Sequence, residues 1–175
     1  LAELATNAGA DILKIAEGMG LDKRISPDFL QPGPGYGGSC FPKDTRALQF
    51  SALQHGVSLD IVNASISKND KIKNLIVQKI HQILGNLDST KTVGVLGVTF
   101  KKNTDDVRDS TAIPVVSHLL KSRVNVKVYD PKGMDNFRKL QPGIIQCSNA
   151  MSAIDGSDLL IILTEWEFIN DLEPG

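Results

Sequence analysis

The hydrophobic pattern of the chain changes its period once, near residue 90. Before that point apolar residues recur every three or four positions, which predicts helices over residues 1–19 (interrupted near Gly9), 44–55 and 60–84. A helix over residues 60–84 would be about 37 Å long, enough to bridge two domains or to line a dimer interface. Aspartate and glycine mark two helix ends, with Asp44 as the expected N-cap and Gly56 as the expected C-cap of the middle helix.

From residue 92 onward, short apolar runs alternate with helical segments. Strands are predicted at residues 92–98, 124–129, 144–147 and 159–164, and helices at 111–122, 134–140 and 150–154. The first of these helices has Asp109 or Ser110 as its expected N-cap. Alternating strands and helices form a parallel, doubly wound sheet. We therefore predict an α/β protein, with a helical central region over residues 1–88 and a Rossmann-like domain over residues 89–175.

Composition excludes several classes of function. A net charge of −1 gives no electrostatic argument for nucleic acid or an anionic membrane surface, and no apolar run is long enough to span a bilayer. The only cysteines, Cys40 and Cys147, lie far apart and indicate free thiols in a reducing, cytoplasmic compartment, Cys147 being expected to be buried and inert. The three histidines show no metal-ligand spacing, so no metal is expected.

The segment 32–44 concentrates glycine and proline around Cys40, which predicts a stiff loop rather than a helix or strand. It presents a thiol, Lys43 and Asp44 close together. One interpretation is a covalent active site in which Lys43 activates Cys40 and Asp44 acts as a base or orients water. The other is a tight turn that contains a small buried cysteine and a capping aspartate.

A charged segment follows the first predicted strand. The strand leads into Gly94 and Gly97 but lacks the Gly-x-Gly-x-x-Gly fingerprint of dinucleotide sites. In the segment 100–110, Lys101 and Arg108 could bind phosphate or carboxylate oxygens at the carboxyl end of the sheet, or the segment could be a solvated loop with local Asp–Arg pairs. Asp130, after the second strand, occupies a position typical of ribose-binding acids, but is more simply a turn residue before a proline.

Three motifs resemble signatures of one enzyme family. GPGYGGSCFPKD (residues 33–44), FKKNTDDVRDS (100–110) and LIILTEWEF (160–168) resemble, in this order, the motifs of the UDP-glucose/GDP-mannose dehydrogenase family. The resemblance covers essentially the whole chain, and the CFPKD form is closest to the members that oxidise UDP-glucose to UDP-glucuronate for polysaccharide biosynthesis. It implies a two-step, NAD-dependent oxidation through a thiohemiacetal and a thioester on cysteine. Dehydrogenases of GDP-mannose or of a UDP-N-acetylhexosamine are the alternatives.

The resemblance also implies roles for particular residues and a homodimer formed through the helical region. Cys40 matches the nucleophile, Asp44 the acid/base or water-orienting aspartate, and Arg108 an arginine that contacts NAD. The positions that match substrate-binding residues are Arg24 (toward the partner subunit), Phe29, Leu30, Tyr36, Gly37, Phe100 and Lys101. The family's N-terminal NAD-binding domain and its catalytic lysine and asparagine have no counterpart in this chain. We therefore expect a piece of a longer protein that is inactive alone, or alternatively a module that only dimerises and binds UDP.

Overall fold

A computed structural model describes residues 1–172 of the chain and confirms the predicted α/β class. Contacts between backbones divide the chain into two compact units, Leu1–Gly33 and Pro34–Gly175. The domain boundary that the sequence predicts at residue 88 stays a prediction. The last three residues of the predicted domain 89–175 lie outside the described part.

The helices are α1 (Ala2–Ala8), α2 (Ile12–Gly20), α3 (Phe41–Gln54), α4 (Asp60–Leu84), α5 (Ala112–Lys121), α6 (Met134–Leu140) and α7 (Ala150–Ile154). The strands are β1 (Thr92–Leu96), β2 (Asn125–Tyr129), β3 (Ile145–Gln146) and β4 (Leu159–Ile162), and a short 3-10 helix follows at Glu167–Asp171.

The first unit consists of the two short helices that the sequence predicts. Helix α1 stops at Gly9, whose φ of 67° is left-handed and therefore favours glycine. Helix α2 begins after Asp11, whose side chain accepts a hydrogen bond from the backbone N–H of Leu13 at 2.8 Å. Gly9 thus ends α1 where the sequence predicts an interruption, and Asp11 caps α2 through its own side chain.

The second unit is built on a parallel four-stranded sheet in the order β3-β2-β1-β4. Strand β1 occupies an inner position, with Val93 opposite Val126 on β2 and opposite Leu159 on β4. Because all the strands are parallel, their carboxyl ends lie along one edge. The charged loop of residues 100–110 follows β1 at that edge.

Helices cover both faces of the sheet, as a doubly wound fold requires. On one face Val93 and Val95 pack into a core with α5, α6 and the C-terminal half of α4, which contributes Ile80 at 2% exposure. On the other face Leu96 packs with Ala150 and Ala153 of α7. Since α4 also packs against α5, it connects α3 to the sheet.

Two expected N-caps are wrong. Helix α3 begins at Phe41 rather than Asp44, because Pro42 lies in its first turn, where a missing N–H costs nothing. Asp44 is therefore not the N-cap, and its N–H already donates to the carbonyl of Cys40 at 2.8 Å. The N-cap of α5 is Thr111, one residue after the expected positions.

Other boundaries shift by one to three residues. Helix α3 is capped by His55, and the expected C-cap Gly56 follows it with a φ of 70°. Strands β1, β3 and β4 are shorter than predicted. Strand β1 cannot extend through Gly97, whose φ is 83°. Within residues 1–172, no helix is long and apolar enough to cross a membrane.

Candidate active site

Cys40 lies where the Gly/Pro-rich loop enters helix α3. It is the residue immediately before the first residue of the helix, and it is exposed. The free N–H groups and the dipole at the start of a helix favour negative charge nearby. Ser39 is its neighbour in the loop, with its Oγ 3.7 Å from Cys40 Sγ. The thiol is thus open to a ligand at an electrostatically favourable position, contrary to the interpretation as a buried turn cysteine.

Lys43 and Asp44 lie in the first turn of α3, next to the thiol. Lys43 Nζ donates to Asp44 Oδ1, and both side chains are largely exposed. The hydrogen bond to Asp44 raises the pKa of Lys43, and a negative charge on Cys40 adds a smaller contribution. The lysine therefore stays charged beside the cysteine, although its first partner is the aspartate and not the thiol.

The loop 34–40 packs against the charged loop that follows β1, although the hydrogen-bonded residues are about seventy or more positions apart. The N–H of Gly38 donates to the carbonyl of Arg108 at 2.8 Å. The hydroxyl of Thr111 donates to the carbonyl of Pro34 at 3.1 Å. The two sequence motifs therefore form one continuous surface around Cys40.

Glycine is required at two positions of this contact. A Cβ atom at Gly37 would lie 2.5 Å from the carbonyl oxygen of Asp109, and one at Gly38 would lie 2.7 Å from the ring of Phe100. Gly38 also has a φ of 85°. Any larger side chain would push the two loops apart. The run of glycines before Cys40 thus serves close packing as well as conformational freedom.

Phe100 and Lys101 lie at the rim of this surface. The Phe100 ring is partly buried under Gly38, and Lys101 is exposed, with its Nζ 5.5 Å from the centroid of that ring. On the other side of the loop, the Tyr36 and Phe41 rings lie 5.1 Å apart, centroid to centroid. The site therefore combines aromatic walls with a cation that can reach a negatively charged ligand.

Arg108 forms a local ion pair and also lies within electrostatic range of Cys40. Its Nε and Nη2 donate to the two carboxylate oxygens of Asp106 at 2.9 and 2.7 Å. This pair raises the pKa of Arg108 and lowers that of Asp106, and a negative charge on Cys40 adds slightly to the former. The local Asp–Arg pair that the sequence suggested is present. It leaves the two N–H groups of Nη1 for a ligand.

Asn69 on α4 is a site residue that the sequence analysis missed. Its side chain makes two hydrogen bonds with the backbone of Tyr36, accepting from the N–H at 2.7 Å and donating to the carbonyl at 3.1 Å. The signal was an asparagine on the apolar face of a long helix, between Ile66 and Ile72 in the three-residue spacing. A polar residue in such a position needs a buried partner.

Asp130 proves to be a structural residue. It is 3% exposed, and its Oδ1 accepts from the N–H groups of Lys132 and Gly133 at 2.9 and 2.7 Å. Its Oδ2 accepts from the N–H of Val98 at 2.8 Å and from Trp166 Nε1 at 3.0 Å. Both oxygens are thus occupied within the fold, as expected for a turn residue and not for a ribose-binding acid.

The remaining predicted substrate residues belong to the first unit. Arg24 is exposed and pairs with Asp22, Nη2 to Oδ2, at 2.6 Å. Phe29 is fully exposed with a left-handed φ of 62°, and Leu30 is partly buried. Their binding roles stay predictions.

Comparison with known proteins agrees with the motifs. The central domain of the UDP-glucose/GDP-mannose dehydrogenase family matches residues 1–71, and the UDP binding domain of the same family matches residues 94–175. The chain belongs to the UDP-glucose/GDP-mannose dehydrogenase family.

Named members of this dehydrogenase family align along nearly the entire chain. This chain is 42% identical to the UDP-glucose 6-dehydrogenase of Rhizobium meliloti (strain 1021), and the alignment covers 99% of this chain and 40% of the relative. It is 36% identical to the UDP-glucose 6-dehydrogenase TuaD of Bacillus subtilis (strain 168), with 99% and 38% covered. A solved UDP-glucose dehydrogenase from Pyrobaculum islandicum superposes with a TM-score of 0.92 at 36% identity, over 97% of this chain and 39% of that one. The chain thus spans about two fifths of the length of these relatives.

Among the described residues that the sequence suggested for binding NAD, only Arg108 is placed so that it could contact this cofactor. At the turn after β1, Gly97 leaves room for Thr164 and not for a ligand on that side, since a Cβ atom at Gly97 would lie 2.5 Å from the Cβ of Thr164. Asp130 has no free oxygen for a ribose. Arg108 fits, because it is exposed, keeps donors at Nη1 and lies near Cys40. Residues 1–172 hold no group of three or more His, Cys, Asp or Glu that could bind a metal.

Proposed function

We propose that this chain is the substrate-binding and covalent-catalysis part of a UDP-glucose 6-dehydrogenase. One observation carries the proposal: the exposed Cys40 lies at a helix N-terminus, in a loop that packs directly against the loop of Phe100, Lys101 and Arg108. A nucleophile, a cation and an aromatic surface on one face suit the binding and oxidation of a nucleotide sugar. The similarity to named UDP-glucose 6-dehydrogenases supports this substrate over GDP-mannose or a UDP-N-acetylhexosamine.

Cys40 would form the covalent intermediate. Two molecules of NAD⁺, bound in turn, would each accept one of the two hydrides that the four-electron oxidation releases. After the first oxidation of the sugar's primary alcohol, Cys40 Sγ adds to the aldehyde carbon, and its proton passes to the aldehyde oxygen. The second oxidation converts this thiohemiacetal into a thioester. Water then attacks the carbonyl, the C–S bond breaks, and the carboxylate product leaves with the thiol restored.

Asp44 would act on the water of the last step. Its carboxylate lies one helical turn from Cys40 and hydrogen-bonds to Lys43, which remains a cation. A carboxylate so placed can orient a water molecule and accept its proton, while the neighbouring ammonium stabilises negative charge on the thioester oxygen.

The rest of the substrate would contact the rim of the site. Lys101 would neutralise phosphate charge, and Phe100, Tyr36 and Gly37 would line the sugar-nucleotide pocket. Arg108 would contribute Nη1 to a phosphate of the cofactor. In the first unit, Phe29 and Leu30 would contact a sugar-nucleotide substrate, and Arg24 would reach the substrate of the partner subunit in a homodimer.

The test uses the full-length protein and a panel of sugar nucleotides. We expect NADH formation from UDP-glucose at a rate at least tenfold above that from GDP-mannose or a UDP-N-acetylhexosamine. We expect Cys40→Ala to abolish it, while Cys147→Ala serves as the matched control and keeps the parent rate. An unchanged rate in Cys40→Ala would refute the covalent mechanism, and NADH formation by the isolated 175-residue chain would refute its expected inactivity.

A second candidate function is that of an assembly and UDP-binding module. Helix α3 exposes large apolar side chains, Leu48, Phe50 and Leu53, each more than half exposed. Phe50 and Leu53, three residues apart, share one face of the helix, and an exposed apolar face of this kind supports a homodimer through the helical region. Light scattering of the 175-residue chain should give the mass of a dimer, and titration calorimetry should detect the binding of UDP to it. A monomer that binds no UDP would exclude this function.

A further inference from the structure

Asn69 makes the same pair of hydrogen bonds with the backbone of Tyr36 that a residue of a neighbouring β-strand would make. Its Oδ1 accepts from the Tyr36 N–H at 2.7 Å, and its Nδ2 donates to the Tyr36 carbonyl at 3.1 Å. The asparagine is only 9% exposed, on the inner face of α4. One buried side chain thus satisfies both backbone groups of one loop residue, which restricts the rotation of the two peptide groups on either side of its Cα.

The chain around Tyr36 is shaped for this contact. Gly35 has a φ of 108°, and a Cβ atom there would lie 2.6 Å from Asn69 Oδ1 and 2.9 Å from Ile72 Cγ2. The loop backbone can therefore approach α4 closely only because residue 35 has no side chain. Tyr36 then directs its ring to Phe41, the first residue of α3, at 5.1 Å between centroids.

The loop before Cys40 is held on two sides. The loop after β1 holds it through the carbonyl of Arg108, which accepts from Gly38, and through Thr111, which donates to Pro34. Helix α4 holds it through Asn69 at Tyr36, which lies between these two points. Loss of the amide would leave a partly buried N–H and carbonyl unpaired and would let the loop turn about its flanking glycines.

We propose that Asn69 is a positioning residue for Cys40, acting through the backbone of Tyr36 and not on the substrate. Its amide holds the two peptide groups that flank the Cα of Tyr36 and thereby sets the direction from which the thiol meets a ligand. The catalytic consequence rests on the proposed function, whereas the effect on the thiol does not.

The test compares Asn69→Ala, Asn69→Asp and Ile80→Val in the full-length protein. Ile80→Val is the matched control, because it removes a buried methylene from the same helix without touching the loop. Amide exchange, resolved to Tyr36 by mass spectrometry with electron-transfer fragmentation, measures the hydrogen bond. The rate at which iodoacetamide alkylates Cys40 measures the exposure of the thiol.

In Asn69→Ala we expect exchange at Tyr36 to accelerate at least tenfold and alkylation of Cys40 to change at least threefold. Asn69→Asp keeps an acceptor and should retain the protection of Tyr36, and Ile80→Val should leave both readouts within twofold of the parent. Unchanged exchange and alkylation in Asn69→Ala would overturn the proposal, as would equal changes in Ile80→Val. If Asn69→Ala does not fold, Asn69→Asp decides: it loses the donor to the Tyr36 carbonyl, so alkylation of Cys40 should still change at least threefold, and an unchanged rate there overturns the proposal.

Activity separates the two proposals. If the full-length protein oxidises UDP-glucose, Asn69→Ala should lower kcat tenfold or more while the KM for NAD⁺ stays within twofold, because Asn69 touches neither ligand. If the protein oxidises no sugar nucleotide, the proposed function fails, but the exchange and alkylation rates still decide the role of Asn69.

Discussion

Replacing Asp130 by alanine should destabilise the second unit more than any single surface change. The carboxylate is buried and accepts from four N–H groups at 3.0 Å or less, those of Val98, Lys132 and Gly133 and the indole of Trp166. Removing it would leave these donors without their acceptor beside the sheet. The turn after β1 and the turn after β2 would lose their common anchor.

The magnitude follows from the number and kind of these bonds. A hydrogen bond to a charged group contributes about 1.5–3 kcal/mol, but four bonds to one carboxylate are not additive. We therefore expect a loss of about 4–6 kcal/mol, a large part of the 5–15 kcal/mol typical of a whole domain. Asp130→Asn keeps one oxygen and must present its NH₂ group to one pair of donors. This variant should therefore lose about half as much free energy of unfolding as Asp130→Ala.

Urea denaturation of the 175-residue chain provides the assay. Trp166 is the only tryptophan in the sequence and hydrogen-bonds to Asp130 itself, so its fluorescence reports on this region directly. With a slope near 2 kcal/mol per molar urea, the expected loss lowers the midpoint by about 2–3 M. The exposed Asp135→Ala is the control and should shift it by less than about 0.3 M. A shift below about 0.5 M for Asp130→Ala would refute the argument.

Three further predictions concern other parts of the chain. Iodoacetamide should alkylate Cys40 at least tenfold faster than Cys147, because Cys40 is exposed while burial raises the pKa of Cys147; equal rates by mass spectrometry would contradict this. Burial, and to a smaller extent the neighbouring His81, lower the pKa of His118. The unfolded chain therefore binds more protons than the folded chain, and the free energy of unfolding should decrease as the pH falls from about 7.5 to 5.5. In urea titrations at both pH values, His118→Gln should reduce this pH dependence of the free energy of unfolding. An unchanged pH dependence would mean that other groups cause it. Gly94→Ala should cost about 2 kcal/mol or more, because the new Cβ would lie 2.4 Å from a carbonyl oxygen of α7; a thermal midpoint equal to that of the parent would refute it.

Elements with strong local signals could be predicted from the sequence. Helix α4 spans residues 60–84 in both the pattern and the structure, because its apolar residues keep a helical period over seven turns. Asp11 caps α2 through its own side chain, a contact that depends only on adjacent residues. The start of α3 was misplaced because proline was interpreted as a loop residue, although the first turn of a helix accepts it.

The arrangement of the site could not be predicted from local pattern, since it depends on tertiary contacts. The resemblance identified both loops, but only the fold shows that Gly38 bonds to Arg108. The roles of Asn69 and Asp130 depend on partners more than thirty residues away in sequence. A buried polar residue can be recognised in a sequence, but its partner cannot.

Because β1 pairs with β2 on one side and with β4 on the other, its two edges should form at different times during folding. Val93 meets Val126 roughly 33 residues later and Leu159 roughly 66 residues later, so closing the second loop costs about 0.6 kcal/mol more than closing the first. The pair β1–β2, with α5 between them, should therefore assemble first. During synthesis the other edge of β1 would stay unpaired for several seconds, until β4 leaves the ribosome. That interval, in which a strand of buried valines lacks its neighbour, is when a chaperone would act or aggregation would begin.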